Sequence, residues 1–182
     1  MLFASLTAPL NDEQRRQLGT DTQWGITPAH GVAGSTLRLT NDGRLLIRHG
    51  FEYSPSFRCG DARRREARAV HQALLAKRFP ALAPLQIEHF WMGWLSVSRN
   101  NAPAFGKVND KVFAAACCNG VGIVRQTAAG TLIGDLACKV DNDLIGDFTA
   151  QGLAARLPPR PFVDLGVKLK LMAETYTGRT EA

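Results

Sequence analysis

Hydrophobic and polar positions alternate most clearly in two short runs, Ser35 to Thr40 and Arg44 to His49. Period-two alternation is the pattern of half-buried strands. The two runs are joined by Asn41-Asp42-Gly43, where glycine supplies the positive φ of a tight hairpin turn. Residues 1 to 8 also read as a strand, ended by Pro9, and Asn11 can cap a short helix reaching Leu18. A loop carrying Trp24, Pro28 and Gly31 follows. From Arg63 to Phe79 the period changes to that of a helix, with Ala67, Val70, Leu74 and Leu75 as its apolar face and Pro80 as its stop. Leu85 to Val97 is rich in β-formers and aromatics and predicts one long strand. Val112 to Ala116 predicts another. Gly122 to Val140 predicts a long helix, with Leu132, Ile133, Leu136 and Val140 at helical spacing. Past Asp141 the pattern weakens, and Pro158-Pro159-Arg160-Pro161 breaks the chain. Phe162 to Met172 predicts a short last helix, followed by ten frayed residues. There is no internal repeat. The expected class is α+β, with a largely antiparallel sheet and a helix packed on it.

The junction between the Val112 strand and the following helix is the first candidate for chemistry. There Asn119-Gly120-Val121-Gly122-Ile123 forms a glycine turn at a helix N-terminus. Glycines let backbone N–H groups approach a ligand, and the helix dipole favours negative charge at that end. The plain alternative is a tight turn that only packs.

Composition narrows the field. The chain has 182 residues, 45% of them apolar, enough for a sizeable core, with a formal charge of +6 and a pI near 9.5. The basic residues are scattered. The one dense run, Arg63-Arg64-Arg65 with Arg68, shares its helix with Asp61 and Glu66 and reads as a solvated face. With no basic stripe and no interleaved aromatics, nucleic acid is not an expected partner. Cys59, Cys117, Cys118 and Cys138 lack Cys-x-x-Cys spacing and paired histidines, so no metal site is expected. The thiols read as reduced and buried in a cytoplasmic protein. No apolar run reaches membrane-spanning length, and the N-terminus lacks a basic signal-peptide region. No Ser-His-Asp or other catalytic set stands out, and no catalytic residue is assigned.

Five segments occur in a telling order: Thr7-Ala8-Pro9-Leu10, Thr36 through Arg48, Trp91-Met92-Gly93, Pro103-Ala104-Phe105-Gly106, and the Val112 strand with its Gly-x-Gly turn and small-residue helix. Over roughly residues 1 to 140 the chain resembles the C-terminal half of the D-amino-acid-oxidase-like FAD oxidoreductases, the family of sarcosine, glycine and gamma-glutamylputrescine oxidases. The resemblance implies a substrate-binding portion at 1–108, a C-terminal strand-helix of an incomplete, Rossmann-like FAD-binding domain at 109–141, and an extension at 142–182. It implies oxidation of an amine or amino compound to an imine, with electrons passing to FAD. No Gly-x-Gly-x-x-Gly precedes Gly120, so the nucleotide-binding half would come from elsewhere. The rival expectation is a non-catalytic remnant, or a subunit that needs a partner supplying that half.

By the same resemblance Asn119, Gly120, Val121, Gly122 and Ile123 approach the flavin ring through backbone N–H groups, while Arg48, Tyr53 and Trp91 form a substrate wall. The alternative for Arg48 is a surface or inter-strand ion pair. Trp91 and Trp94 read as core or pocket lining, and His49 and His89 as structural. The chain also departs from its family. Leu95 stands where glycine-oxidase-like members carry a carboxylate-binding arginine. Val121 and Val124 stand where sarcosine-oxidase-like members carry a histidine and a carboxylate-binding lysine. An amine or larger amino compound, in the style of the gamma-glutamylputrescine oxidase branch, is then the expected substrate, unless Arg48 or Arg99 supplies the anchor instead.

Overall fold

A computed structural model describes residues 1–19, 22–82, 84–120 and 122–181. It divides into two compact units: Met1–Trp94 with Pro161–Ala182, and Leu95–Arg160. These boundaries differ from the 108 and 141 divisions drawn from the sequence.

In the first unit, β1 (Leu2–Thr7), β2 (Trp24–Ile26), β3 (Thr36–Leu39), β4 (Leu45–Phe51) and β5 (Ile87–Gly93) form one sheet in the order β2-β3-β4-β1-β5. Every pairing is antiparallel. The alternation read from the sequence sorts the sheet into two faces. Phe3, Leu37, Leu39, Leu45, Ile47 and Ile87 are buried, and α2 (Asp61–Arg78) lies over them through Ala67 and Leu75. Complete burial of a side chain such as Phe3 or Ile47 contributes roughly 1.5–3 kcal/mol. The other face carries Ala4, Leu6, Thr36, Arg38, Leu46, Arg48, His89 and Trp91, which are half-buried or exposed. α1 (Asp12–Leu18) opens with a complete capping box between Asn11 and Gln14.

In the second unit β6 (Ala104–Asn109) and β7 (Val112–Ala116) form an antiparallel hairpin. Against it pack α3 (Gly122–Cys138) and α4 (Asp143–Ala150), through Phe105, Ala129 and Leu132 with Leu136, Ile145 and Phe148 around them.

Several expectations are corrected. The strand expected over Leu85 to Val97 is confined to Ile87–Gly93, because its ladder with β1 ends at the Leu2–Gly93 pair. On α2 the buried residues are Ala67, His71 and Leu75, one every fourth position, so Val70 points outward. Val140 lies beyond α3 and is exposed, the chain having turned at Lys139 with a φ of 59°. α4 and the short strands β2 and β6 were not foreseen. α5 runs Phe162–Thr177, and a 3-10 turn over Arg179–Glu181 replaces the expected fray. Two long-range bonds hold that turn, from Arg78 Nη2 to the Glu181 carbonyl at 2.7 Å and from the His30 N–H to the Glu181 carboxylate at 3.1 Å. The Arg63 run is only partly solvated: Arg63 pairs with Glu52 and Glu66 and lies over the Phe3 ring, while Arg68 Nη2 donates to the Ile87 carbonyl at 2.6 Å. The strand-helix unit at β7 and α3 is present, with β7 in a two-stranded hairpin. Among the described residues, no helix is long and apolar enough to cross a membrane.

Candidate active site

The exposed sheet face carries a row of four paired residues. Thr36 of β3 stands opposite Arg48 of β4, Arg48 opposite Ala4 of β1, and Ala4 opposite Trp91 of β5. Arg48 and Trp91 are therefore two strand spacings apart, about 10 Å between backbones, with only the short side chain of Ala4 between them. The structure thus brings together two of the three sequence-predicted substrate residues. The third is elsewhere in this unit, where the Tyr53 hydroxyl donates to Asp164 of α5 at 2.6 Å.

Arg48 is half-buried. Its Nε and Nη2 both donate to the Thr36 hydroxyl, at 3.1 and 2.7 Å. No carboxylate pairs with it among the described residues, and Nη1 makes no hydrogen bond to protein there. Burial without a counter-charge lowers its pKa from the ordinary arginine value. Two neighbouring arginines differ: Arg44 is paired by Asp42 and Glu88, and Arg63 by Glu52 and Glu66. The ion-pair alternative for Arg48 is not what the structure contains. Trp91 is 43% exposed, so it is a surface wall of the edge strand and not a core residue. Trp94 is as open and packs against Phe57, ring centroids 6.1 Å apart. Arg99, the other candidate anchor, is exposed in the second unit.

The turn between β7 and α3 takes its shape from three residues at positive φ, Cys117, Asn119 and Gly120. Asn119 is a latch. Its Oδ1 accepts from the Ser98 N–H at 2.8 Å and the Ser98 hydroxyl at 3.3 Å. Its Nδ2 donates to the carbonyls of Asn101 and Ala102, and its N–H donates to the Ser96 carbonyl at 3.1 Å. These groups shape the turn and are not spare for a ligand. The two glycines serve different needs. Gly120 has a φ of +79° with open space where a Cβ would stand, whereas a Cβ on Gly122 would meet Cys118 Cβ at 2.8 Å. Val121 lies outside the described residues. Ile123 and Val124 open α3 at 87% and 83% exposure, an apolar surface beside the turn. Cys117 and Cys118 are half-buried, Cys138 is exposed, and both turn thiols contact Ser96.

Sequence reasoning missed His71. Its ring is buried between α2 and the sheet, with Nδ1 2.7 Å from the Ser5 hydroxyl and Nε2 3.1 Å from the His49 carbonyl. His49 Nδ1 in turn lies 3.0 Å from the Ser35 hydroxyl. Burial is the main cause holding both histidines below the ordinary histidine pKa.

No protein-family model matches the chain. Among curated proteins, gamma-glutamylputrescine oxidoreductase of Escherichia coli (strain K12) is 29% identical over 128 residues, which are 69% of this chain and 26% of that protein. Among solved structures, the L-proline dehydrogenase from P. horikoshii matches with a TM-score of 0.56 and 21% identity, over 79% of this chain and 36% of that one. The second likeness is one of fold. The chain spans about a quarter of the curated relative and about a third of the solved one. Both agree with the resemblance to D-amino-acid-oxidase-like oxidoreductases.

Proposed function

We propose that this chain is the substrate-domain and flavin-contacting portion of an FAD-dependent oxidoreductase that oxidises an amine or amino compound to an imine. The observation that carries the reading is the row Thr36–Arg48–Ala4–Trp91. It sets one fixed cation and one flat apolar wall on the uncovered face of an antiparallel sheet, in a fold shared with a dehydrogenase. Residues 1–108 are then the substrate portion, 109–141 the strand-helix facing the flavin, and 142–182 an extension.

The turn has features that suit a flavin ring. Gly120 leaves open space above the backbone, and Ile123 and Val124 offer apolar surface to a flat heterocycle. With Asn119 occupied by its loop, Gly120, Val121, Gly122 and Ile123 are the positions left to meet the ring. Nothing in the chain has the glycine spacing that cradles a dinucleotide pyrophosphate, so those phosphates would be held by residues outside it. FAD, when bound, supplies the electron acceptor. The chain's own residues hold the substrate: Trp91 presents a wall to its carbon skeleton, Arg48 a positive charge, and Ala4 the space between.

The second reading is a portion that functions only with a partner supplying the nucleotide-binding half. It is favoured by α5, where Phe162, Leu165, Leu169, Met172 and Tyr176 form an exposed apolar stripe at alternating three- and four-residue spacing. The visible absorbance of the purified chain with and without FAD tests both. A flavin band held through the turn's contact with the ring alone, and bleached on anaerobic addition of an amine, supports the first reading. A protein that stays colourless with FAD, and gains the band only when a nucleotide-binding half is added, supports the second reading. A protein that stays colourless even then sinks both.

A further inference from the structure

Among the described residues Arg48 is half-buried with no counter-charge, although the Thr36 hydroxyl holds it in place. A partly desolvated cation is costly unless something compensates it, and the Thr36 hydroxyl is neutral. That hydroxyl takes Nε and Nη2. It pins the guanidinium plane while leaving Nη1 for a further acceptor. A pinned, planar fork with free N–H groups is the geometry that recognises a carboxylate. Next to it is the short side chain of Ala4, and beyond Ala4 stands Trp91, a ring of the kind whose face attracts an ammonium.

Resting on the function proposed above, we infer that Arg48 anchors a substrate carboxylate and that the substrate class is amino compounds whose carboxylate and amine stand several carbons apart. The carboxylate sits on the Arg48 fork, and the carbon chain crosses Ala4 toward Trp91. An α-amino acid, with one carbon between its two groups, is too short to reach both Arg48 and Trp91, whose backbones stand two strand spacings or about 10 Å apart. The chain therefore replaces the carboxylate anchors missing at Leu95 and Val124 with one on a different element.

The test uses the full chain, labelled with nitrogen-15 and titrated with 5-aminopentanoate, pentylamine and L-proline. The resonances followed are the Arg48 Nε–H and the Trp91 indole N–H. The expected result is that 5-aminopentanoate shifts both signals with one binding constant. Pentylamine leaves Arg48 unmoved, and L-proline does not move the two together. Arg48→Met should weaken 5-aminopentanoate roughly 10- to 100-fold, as expected for a lost charge-assisted pair. Arg48→Lys, which keeps the charge without the fork, should fall between. Thr36→Val, which frees the fork from its clamp, guards against misfolding of the Met variant and should weaken binding with the backbone spectrum unchanged.

The inference is overturned if 5-aminopentanoate shifts neither signal, if pentylamine binds as tightly, if L-proline shifts both, or if folded Arg48→Met binds unchanged. Because binding is read without flavin, the anchor and the redox assignment fail separately. A chain that binds 5-aminopentanoate at Arg48 but never takes up or reduces FAD keeps the first and loses the second.

Discussion

Mild acid should destabilise the sheet unit through two histidines, and the size of the effect follows from their surroundings. His71 Nε2 faces the His49 carbonyl, an acceptor only, so that nitrogen carries the hydrogen and Nδ1 accepts from Ser5. The neutral ring is fully used. Burial holds His71 and His49 below the ordinary histidine pKa, and each is further opposed by a nearby positive charge, protonated His49 for the former and Arg78 for the latter. In the unfolded chain both titrate near pH ~6.5. Above that pH neither state is protonated and the full stability is present. Below it the unfolded state takes up protons that the folded state refuses, so stability falls as pH falls. The limiting slope is about 1.4 kcal/mol per pH unit for each histidine, so at about pH 5 the loss reaches at most roughly 2 kcal/mol per ring.

Urea unfolding followed by tryptophan fluorescence measures this cleanly, because Trp24, Trp91 and Trp94 all lie in the sheet unit. Staying above about pH 5 keeps Asp42 and Glu88 ionised, since hydrogen bonds to Thr40 and Arg44 hold them below the usual carboxylate range. In His71→Gln the amide can still donate to the His49 carbonyl but cannot titrate, so about half of the acid-dependent loss should vanish. A wild-type stability that is flat down to about pH 5 refutes the argument. So does a His71→Gln variant with the wild-type slope.

Other perturbations test the turn and α5. Gly120→Ala forces a left-handed backbone on alanine, costing about 1–2 kcal/mol in thermal or urea unfolding of the second unit. Gly122→Ala should instead push the turn away from Cys118 and lower flavin uptake, measured by absorbance after gel filtration. Asn119→Ala leaves the Ser98 N–H and the Asn101 carbonyl without the partner that Asn119 supplies, while the Ala102 carbonyl keeps the Ser98 hydroxyl. It should cost about 2 kcal/mol and speed amide exchange at Ser98 at least roughly tenfold; unchanged exchange would show that the latch does not hold the loop. Leu169→Gln on the exposed stripe should change stability by less than about 0.5 kcal/mol, and a larger loss in urea unfolding would mean that this face is covered in solution.

The sheet hairpin and its contents were legible in the sequence. Pairing outward from Asp42 sets Thr36 opposite Arg48, as observed, so even the clamp on the guanidinium could have been read. Local pattern was enough there because the turn fixes the register. It was not enough for His71, whose burial rests on Ser5 and on the His49 carbonyl, contacts across distant segments that no helical period reveals. Val70, the more apolar neighbour, took its place in the expectation. Trp91 read as lining or core by residue type, but its exposure follows from its place on an edge strand. Asn119 looked like a turn residue facing a ligand, whereas its amide is committed to a loop more than fifteen residues earlier. α4 escaped notice because Gly146 interrupts a short pattern, and its start depends on the Asn142 cap, whose amide is steadied by Asp135.

The order β2-β3-β4-β1-β5 also bears on how the chain is made. β1 is synthesised first but sits inside the sheet, with β4 on one side and β5 on the other. The hairpin of β3 and β4 can close as soon as it leaves the ribosome, and β1 can join it. Its second edge stays bare until β5 emerges, after all of α2 has been translated. At roughly 5–20 residues per second that interval lasts several seconds, long compared with hairpin closure in about 1–10 microseconds. The row that ends in Trp91 is therefore the last part of this sheet to be completed, and until β5 emerges the nascent chain carries one unpaired edge of β1.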